Sequence, residues 1–227
     1  FYVARPASSR SPEEQAWDLV SSAGLTEDTT PLPGLVHQSP AAVIVAGEQR
    51  VVQGVSALTT LIGRFNVQAQ AELTVRHIDF DSLGAPHVAS ASYTGWRAYG
   101  GAIAIDSAKV TVHHCLFQSN HALTGGAAIY VTATALAPNT ADMVAGSAEL
   151  AVSDSQFIQN NVDVAGGAVY VETLCEHCTA AVTISRSEFQ RNRAAYGGAV
   201  ACGRGKIELT IEDSNLYENG LRGDLSD

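Results

Sequence analysis

Cys175-Glu176-His177-Cys178 places two thiols and an imidazole within one short stretch, a spacing that serves zinc sites, redox dithiols and local disulfides. Zinc needs two further ligands, and the chain has no second C-x-x-C. A redox dithiol needs a helix N-terminus, whereas this stretch sits in a loop between two apolar strands. The expectation is a disulfide between Cys175 and Cys178 that pinches the loop. Cys115 and Cys202 fall at inward positions of separate strands and are expected to be buried free thiols. Arg76, His77, Asp79, Asp81, His113 and His114 are the right residue types for a metal or acid/base site. They alternate inside and outside a turn and do not all converge, so solvated turn residues are the plainer reading. No catalytic residue, metal ligand or cofactor is assigned.

The elements that must position these groups are repeated. "YGGAIAI" at Tyr99–Ile105 recurs as "TGGAAIYV" at Thr124–Val131, "AGGAVYV" at Ala165–Val171 and "YGGAVAC" at Tyr196–Cys202. "VTVHHCLFQSN" at Val110–Asn120 recurs as "LAVSDSQFIQN", "VTISRSEFQRN" and "LTIEDSNLYEN", with an earlier relative, "LTVRHIDFDS", at Leu73–Ser82. Phe80, Phe117, Phe157 and Phe189, with Leu216, are separated by 37, 40, 32 and 27 residues, a fixed core with variable loops. Each unit carries two short strands with period-2 alternation, and hairpin dipeptides of the Asn-Gly type are few. In-register stacking at about 4.8 Å puts like on like. Phe80, Phe117, Phe157 and Phe189 then form an interior column. Asn120, Asn160, Asn192 and Asn219 form an amide ladder at a turn. Gly100-Gly101, Gly125-Gly126, Gly166-Gly167 and Gly197-Gly198 make tight bends open to φ > 0. The fold class expected is all-β, a parallel β-helix solenoid.

The N-terminal part reads as a cap over residues 1–40, followed by the β-helix over 41–227 with repeats clearest from 73 to 219. "SPEEQAWDLVSSAG" predicts a helix over about 12–23, with Ser11 as cap, Pro12 at its first position and Glu14 closing a capping box. "DTTPLPGLVHQSP" follows as a proline-bearing loop, and "AAVIVAG", "RVVQG" and "TTLIGRFNV" supply strands for degenerate first coils. The chain opens Phe1-Tyr2-Val3 without Met or a signal-peptide pattern, as expected of a processed chain or a fragment. At 227 residues it can hold one large core; its net charge of −10 disfavours nucleic acid and anionic membranes as partners. No apolar run reaches the roughly 20 residues of a membrane-spanning helix.

The paired GGA[I/V] and F-x-x-N motifs, alternating from Leu73 to Asn219, resemble the repeats of the polymorphic outer membrane protein family of chlamydiae. The resemblance implies a right-handed parallel β-helix on the cell surface, or extracellular, used for adhesion or as a structural stalk. This chain adds an insertion, Leu136–Ser147, and its first copy has no Asn after Phe80. Arg222-Gly223-Asp224 resembles the integrin-binding tripeptide and is a candidate adhesion motif; an ordinary polar turn is the rival reading. Carbohydrate-active enzymes, lyases or hydrolases, share the fold but need converging Asp, Lys or Arg outside one strand. The outward column here is Thr74, Thr111, Ala151, Thr183 and Thr210. Ice binding uses paired Thr columns, and the neighbouring column, Arg76, His113, Ser153, Ser185 and Glu212, is charged and irregular. The expected partners are other subunits or cell-surface ligands. The C-terminal coil is expected to meet a further stretch of chain or another subunit end to end, because its short polar tail cannot cover an open strand edge.

Overall fold

The computed structural model describes residues 65–67, 70–83, 99–136 and 144–221, together with the backbone of strands Leu25–Thr26, Leu35–Ser39, Ala42–Ala46, Gln49–Gly54, Thr59–Thr60 and Arg64–Gln68. The helix expected at 12–23, most of the Leu136–Ser147 insertion and Arg222-Gly223-Asp224 lie outside the described residues. Among those described, every regular element is a strand, and no helix is long and apolar enough to cross a membrane.

The strands form four sheets, and each repeat contributes to them in a constant order. The first sheet contains Glu72–Arg76, Lys109–His113, Ser147–Ser153, Thr179–Ser185 and Lys206–Glu212. The second takes Ile78–Asp81, Leu116–Gln118, Gln156–Ile158, Glu188–Gln190 and Asn215–Tyr217. The third takes the two-residue strands His121–Ala122, Asn161–Val162, Arg193–Ala194 and Gly220–Leu221. The fourth takes Ile103–Asp106, Ile129–Ala133, Val169–Thr173 and Val200–Cys202, after which the chain re-enters the first sheet one repeat later. Pairing between successive repeats is parallel throughout this region, so the molecule is a stack of parallel sheets, consistent with the expected β-helix.

Register follows the period-2 pattern. Thr74, Thr111, Ala151, Thr183 and Thr210 pair in one outward column, and Arg76, His113, Ser153, Ser185 and Glu212 in the next. Their neighbours Leu73, Val110, Leu150 and Val182 face inward and are buried. A one-residue slip would turn every one of these apolar side chains to solvent, which is why the register is so well specified.

Inside, Phe80, Phe117, Phe157 and Phe189 are fully buried and stacked, with centroids 4.6, 4.7 and 4.5 Å apart and planes within 7° of parallel. The spacing is that of hydrogen-bonded strands, so the backbone imposes face-to-face stacking that isolated rings would relax by offset.

Two sequence expectations need correction. The glycine column is Gly100, Gly126, Gly166 and Gly197, with φ of 62, 59, 66 and 59°. Gly125 is not part of it, because it pairs with Tyr99 and Ala165, which precede the bend. The motif "TGGAA" is thus offset by one residue, and Ala127 stands where the other repeats have their second glycine. That second position is crowded: a Cβ on Gly167 would lie 1.8 Å from the Gly198 carbonyl oxygen. The proline-bearing stretch, expected as a loop, supplies the strand Leu35–Ser39, antiparallel to Ala42–Ala46, and Leu25–Thr26 likewise runs antiparallel to Gln49–Gly54. Both reversals pair with open edges at the N-terminal end of the stack, where parallel repeats have no preceding partner.

Candidate functional site

Three columns line the turn that joins the first sheet to the second. The innermost is Ile78, Cys115, Ser155, Ser187 and Ser214, two residues before each Phe-column position. Each serine hydroxyl donates to a carbonyl of its own repeat, as Ser155 Oγ does to the Ser153 oxygen at 2.7 Å. Each also accepts a backbone N–H from the repeat before it: Cys115 to Ser155 at 3.1 Å, Ser155 to Ser187 at 3.2 Å and Ser187 to Ser214 at 3.0 Å. This serine ladder was legible as the recurrent S-x-[F/L]-x-x-N, yet only its Phe and Asn were singled out. Cys115 ends the ladder against Ile78, its thiol donating to the His113 oxygen at 3.4 Å. Burial pushes that thiol up to about 11, so it is an un-ionised packing group.

The asparagine ladder lies on the far side of the Phe column. Asn120 N and Nδ2 both donate to Asn160 Oδ1, Asn160 does the same to Asn192, and Asn192 to Asn219. The other Nδ2 hydrogen reaches back one repeat to the carbonyl of Phe80, Phe117 or Phe157. Leu83, which replaces Asn in the first copy, still donates its N–H to Asn120 Oδ1 at 3.0 Å.

The second column of the turn is outward and left-handed. His77, His114, Asp154, Arg186 and Asp213 have φ of 54, 51, 50, 44 and 48°. L-residues enter this region at a cost of roughly 1 kcal/mol each. The cost is met here by stacking, since the N–H of His114 donates to the Ser153 oxygen and that of Asp154 to the Ser185 oxygen, one repeat on. A matching column, Ser82, Ser119, Gln159, Arg191 and Glu218, bends the chain after the Phe strand. Sequence reasoning assigned left-handed bends to glycine alone and missed both.

The third column is His113 and its partners at the end of the first sheet. His113 Nδ1 lies 2.6 Å from Ser153 Oγ and 3.4 Å from Asp154 Oδ2. The His114 ring packs between His113, with centroids 4.0 Å apart, and His77, stacked at 5.2 Å. Arg186 grips Asp154 with two bonds of 2.8 Å, Nε to Oδ1 and Nη2 to Oδ2, and holds its carboxyl below the ordinary range. Partial burial lowers His113, and the nearby charges of His114, Arg76 and His77 act the same way against the opposing pull of Asp154. A shallow polar groove continues along this turn past Gln156, Glu188, Asp213 and Asn215. Of the six residues considered from sequence, the rings of His77, His113 and His114 come together, with Arg76 beside His113 in the same column. Arg76 projects into solvent at the strand end, while Asp79 and Asp81 lie on the second sheet, Asp79 accepting from Gln118 Nε2 at 3.3 Å. Asp154 joins the histidines from the following repeat, and its distance in sequence hid it.

Cys175 and Cys178 are joined in a disulfide, with Cys178 in the core. Cys115 is free and buried, whereas Cys202 is free and exposed, contrary to expectation. Its register is inward, paired to Val171, but it sits in the last strand of the fourth sheet, where no later repeat among the described residues covers it. The fourth sheet shows the converse: the outward residues Ala104, Tyr130, Thr132 and Glu172 are buried, with Tyr130 donating to Glu172 at 2.8 Å.

A family model described as the Chlamydia polymorphic membrane protein (Chlamydia_PMP) repeat matches residues 114–132. The matched stretch runs from the left-handed His114 through the Phe117 and Asn120 ladders and the glycine bend to Thr132. It agrees with the motif resemblance read from sequence. No curated protein and no solved structure matches the chain significantly.

Proposed function

We propose that this chain is a non-enzymatic structural or adhesive module, extracellular or on a cell surface, folded as a right-handed parallel β-helix solenoid. The carrying observation is where the repeated residues go. The Ser, Phe and Asn columns that define the repeat are turned inward and bond one coil to the next. Constancy is thereby accounted for by construction of the stack. The outward column at the turn, Arg76, His113, Ser153, Ser185 and Glu212, varies from coil to coil, as a scaffold's surface does. The similarity of residues 114–132 to a chlamydial membrane-protein repeat supports the surface location.

The C-terminal coil supports the expected partner contact. Leu209, Ile211, Leu216 and Leu221 are in register with the well-buried Val182, Ile184, Phe189 and Ala194, yet are 36–49% exposed. Asn219 Oδ1 accepts from Asn192, but among the described residues no later Asn accepts from Asn219 in turn. The ladder has a direction, donor to acceptor toward the C-terminus. The group it fits at this end is therefore another coil that brings an Asn oxygen and a Ser hydroxyl. A further S-x-F-x-x-N coil meets that requirement.

The experiment has two arms. Antibodies to the folded chain should label intact producing cells or their medium, and the purified chain should release no product from pectin or alginate. Antigen confined to the cytoplasm, or turnover of either polymer, overturns the reading. Adhesion of integrin-bearing cells to the immobilised chain, reduced by Asp224→Glu, tests Arg222-Gly223-Asp224 separately.

A further inference from the structure

We infer that His113, His114 and Asp154 form a binding site for a divalent transition-metal ion of the zinc type, bridging two successive repeats. One ligand atom from each lies within 4.8 Å of the others. One pair, His113 Nδ1 and Asp154 Oδ2, is already at 3.4 Å. Two ligands on a tetrahedral zinc at about 2.0–2.2 Å lie roughly 3.3 Å apart, so that edge has the right length, and His113 Nδ1 takes the metal by giving up its 2.6 Å contact with Ser153 Oγ. The remaining closure falls to the exposed His114 side chain, whose rotation moves no backbone.

The surroundings favour a metal over a simple ion pair. Two imidazole nitrogens and one carboxylate oxygen suit zinc, nickel or copper and offer too little oxygen for calcium or magnesium. The backbone brings the groups to one turn. His114 is presented from a left-handed turn residue beside His77, and the Asp154 carboxylate is held by the Arg186 fork. A ligating carboxylate held by an outer partner is the usual arrangement of protein metal sites. Asp154 Oδ2 accepts one bond from Arg186 and keeps a lone pair on the His113 side. Because His113 and His114 belong to one repeat and Asp154 to the next, the ion would clamp two repeats together from outside.

The test is calorimetric titration of the tag-free chain with zinc chloride alone, followed by imidazole nitrogen shifts in NMR. Three variants remove ligands while keeping the backbone. His114→Asn and Asp154→Asn retain a residue that tolerates the left-handed region, and His113→Ser copies Ser153 and Ser185 of the same column. The expected result is one saturable zinc site per chain, shifts at His113 and His114, no competition from calcium, and at least tenfold weaker binding in each variant. Circular dichroism and the unfolding temperature without metal should match the parent. His177→Gln, in the Cys175–Cys178 loop, should leave zinc affinity unchanged. Absence of saturable binding at millimolar zinc, affinity retained in both His114→Asn and Asp154→Asn, or dependence on His177 instead overturns the assignment.

Discussion

The side-chain amide of Asn160 donates to Asn192 Oδ1 at 2.9 Å, while its own Oδ1 receives both the backbone and side-chain N–H of Asn120. Every polar atom of Asn160 thus belongs to a neighbouring repeat, and the residue is wholly buried. Replacing it by Ala strands the two Asn120 donors and the Phe117 carbonyl. Unmet buried groups cost about 1–3 kcal/mol each, partly recoverable by relaxation, so Asn160→Ala should lose roughly 3 kcal/mol or more in urea unfolding. Asn160→Asp should be worse, since it also buries a charge. Parent-like stability in Asn160→Ala would show that the ladder is incidental.

The Phe column should respond to volume. Phe157→Ala leaves a cavity between two stacked rings, at an expected cost of about 3–5 kcal/mol. Phe189→Leu copies Leu216 from the same column and should cost under about 1.5 kcal/mol. Equal losses from the two substitutions would mean that the column is not packed as described.

The thiols should divide by position. Native alkylation followed by non-reducing mass spectrometry should find Cys175 linked to Cys178, one label on Cys202 and none on Cys115 until the chain unfolds. The disulfide closes so short a loop that its removal in a double Ser variant should cost no more than about 2 kcal/mol. Cys115→Ser completes the serine ladder and should change stability by less than about 1 kcal/mol. Labelling of native Cys115 would contradict its placement inside.

The open end should accept a further coil. Appending a copy of residues 195–221 directly after Leu221 continues the register set by Arg193 with Gly220 and Ala194 with Leu221. It gives Asn219 an acceptor and covers Leu216. In a stack stabilised by nearest neighbours, the unfolding temperature should rise. An extended chain that melts with the parent would refute the directional ladder.

How much of this was readable beforehand depends on the range of each interaction. Phe117 over Phe157, or Thr111 over Ala151, follows from local alternation plus repetition. A period-2 strand allows one inward face, and like stacks on like when the period is kept. The Cys175–Cys178 pairing was likewise legible, because a separation of three residues leaves little freedom.

Other features were settled only when repeats met. Gly125 and Gly126 look alike in "TGGAA", and the pairing of Gly125 with Tyr99 decides which one bends. The left-handed His77, His114, Asp154, Arg186 and Asp213 have no common residue type; inter-repeat hydrogen bonds hold them there. Cys202 reads as inward, and it is exposed because burial in a stack needs a neighbour on both sides. Asp154 reaches His113 through a contact that spans a whole repeat of chain. Sequence by itself therefore determined the columns, since they follow from backbone alternation. The tertiary structure decided which outward groups share a turn, because that depends on how variable loops close before the next strand is laid down.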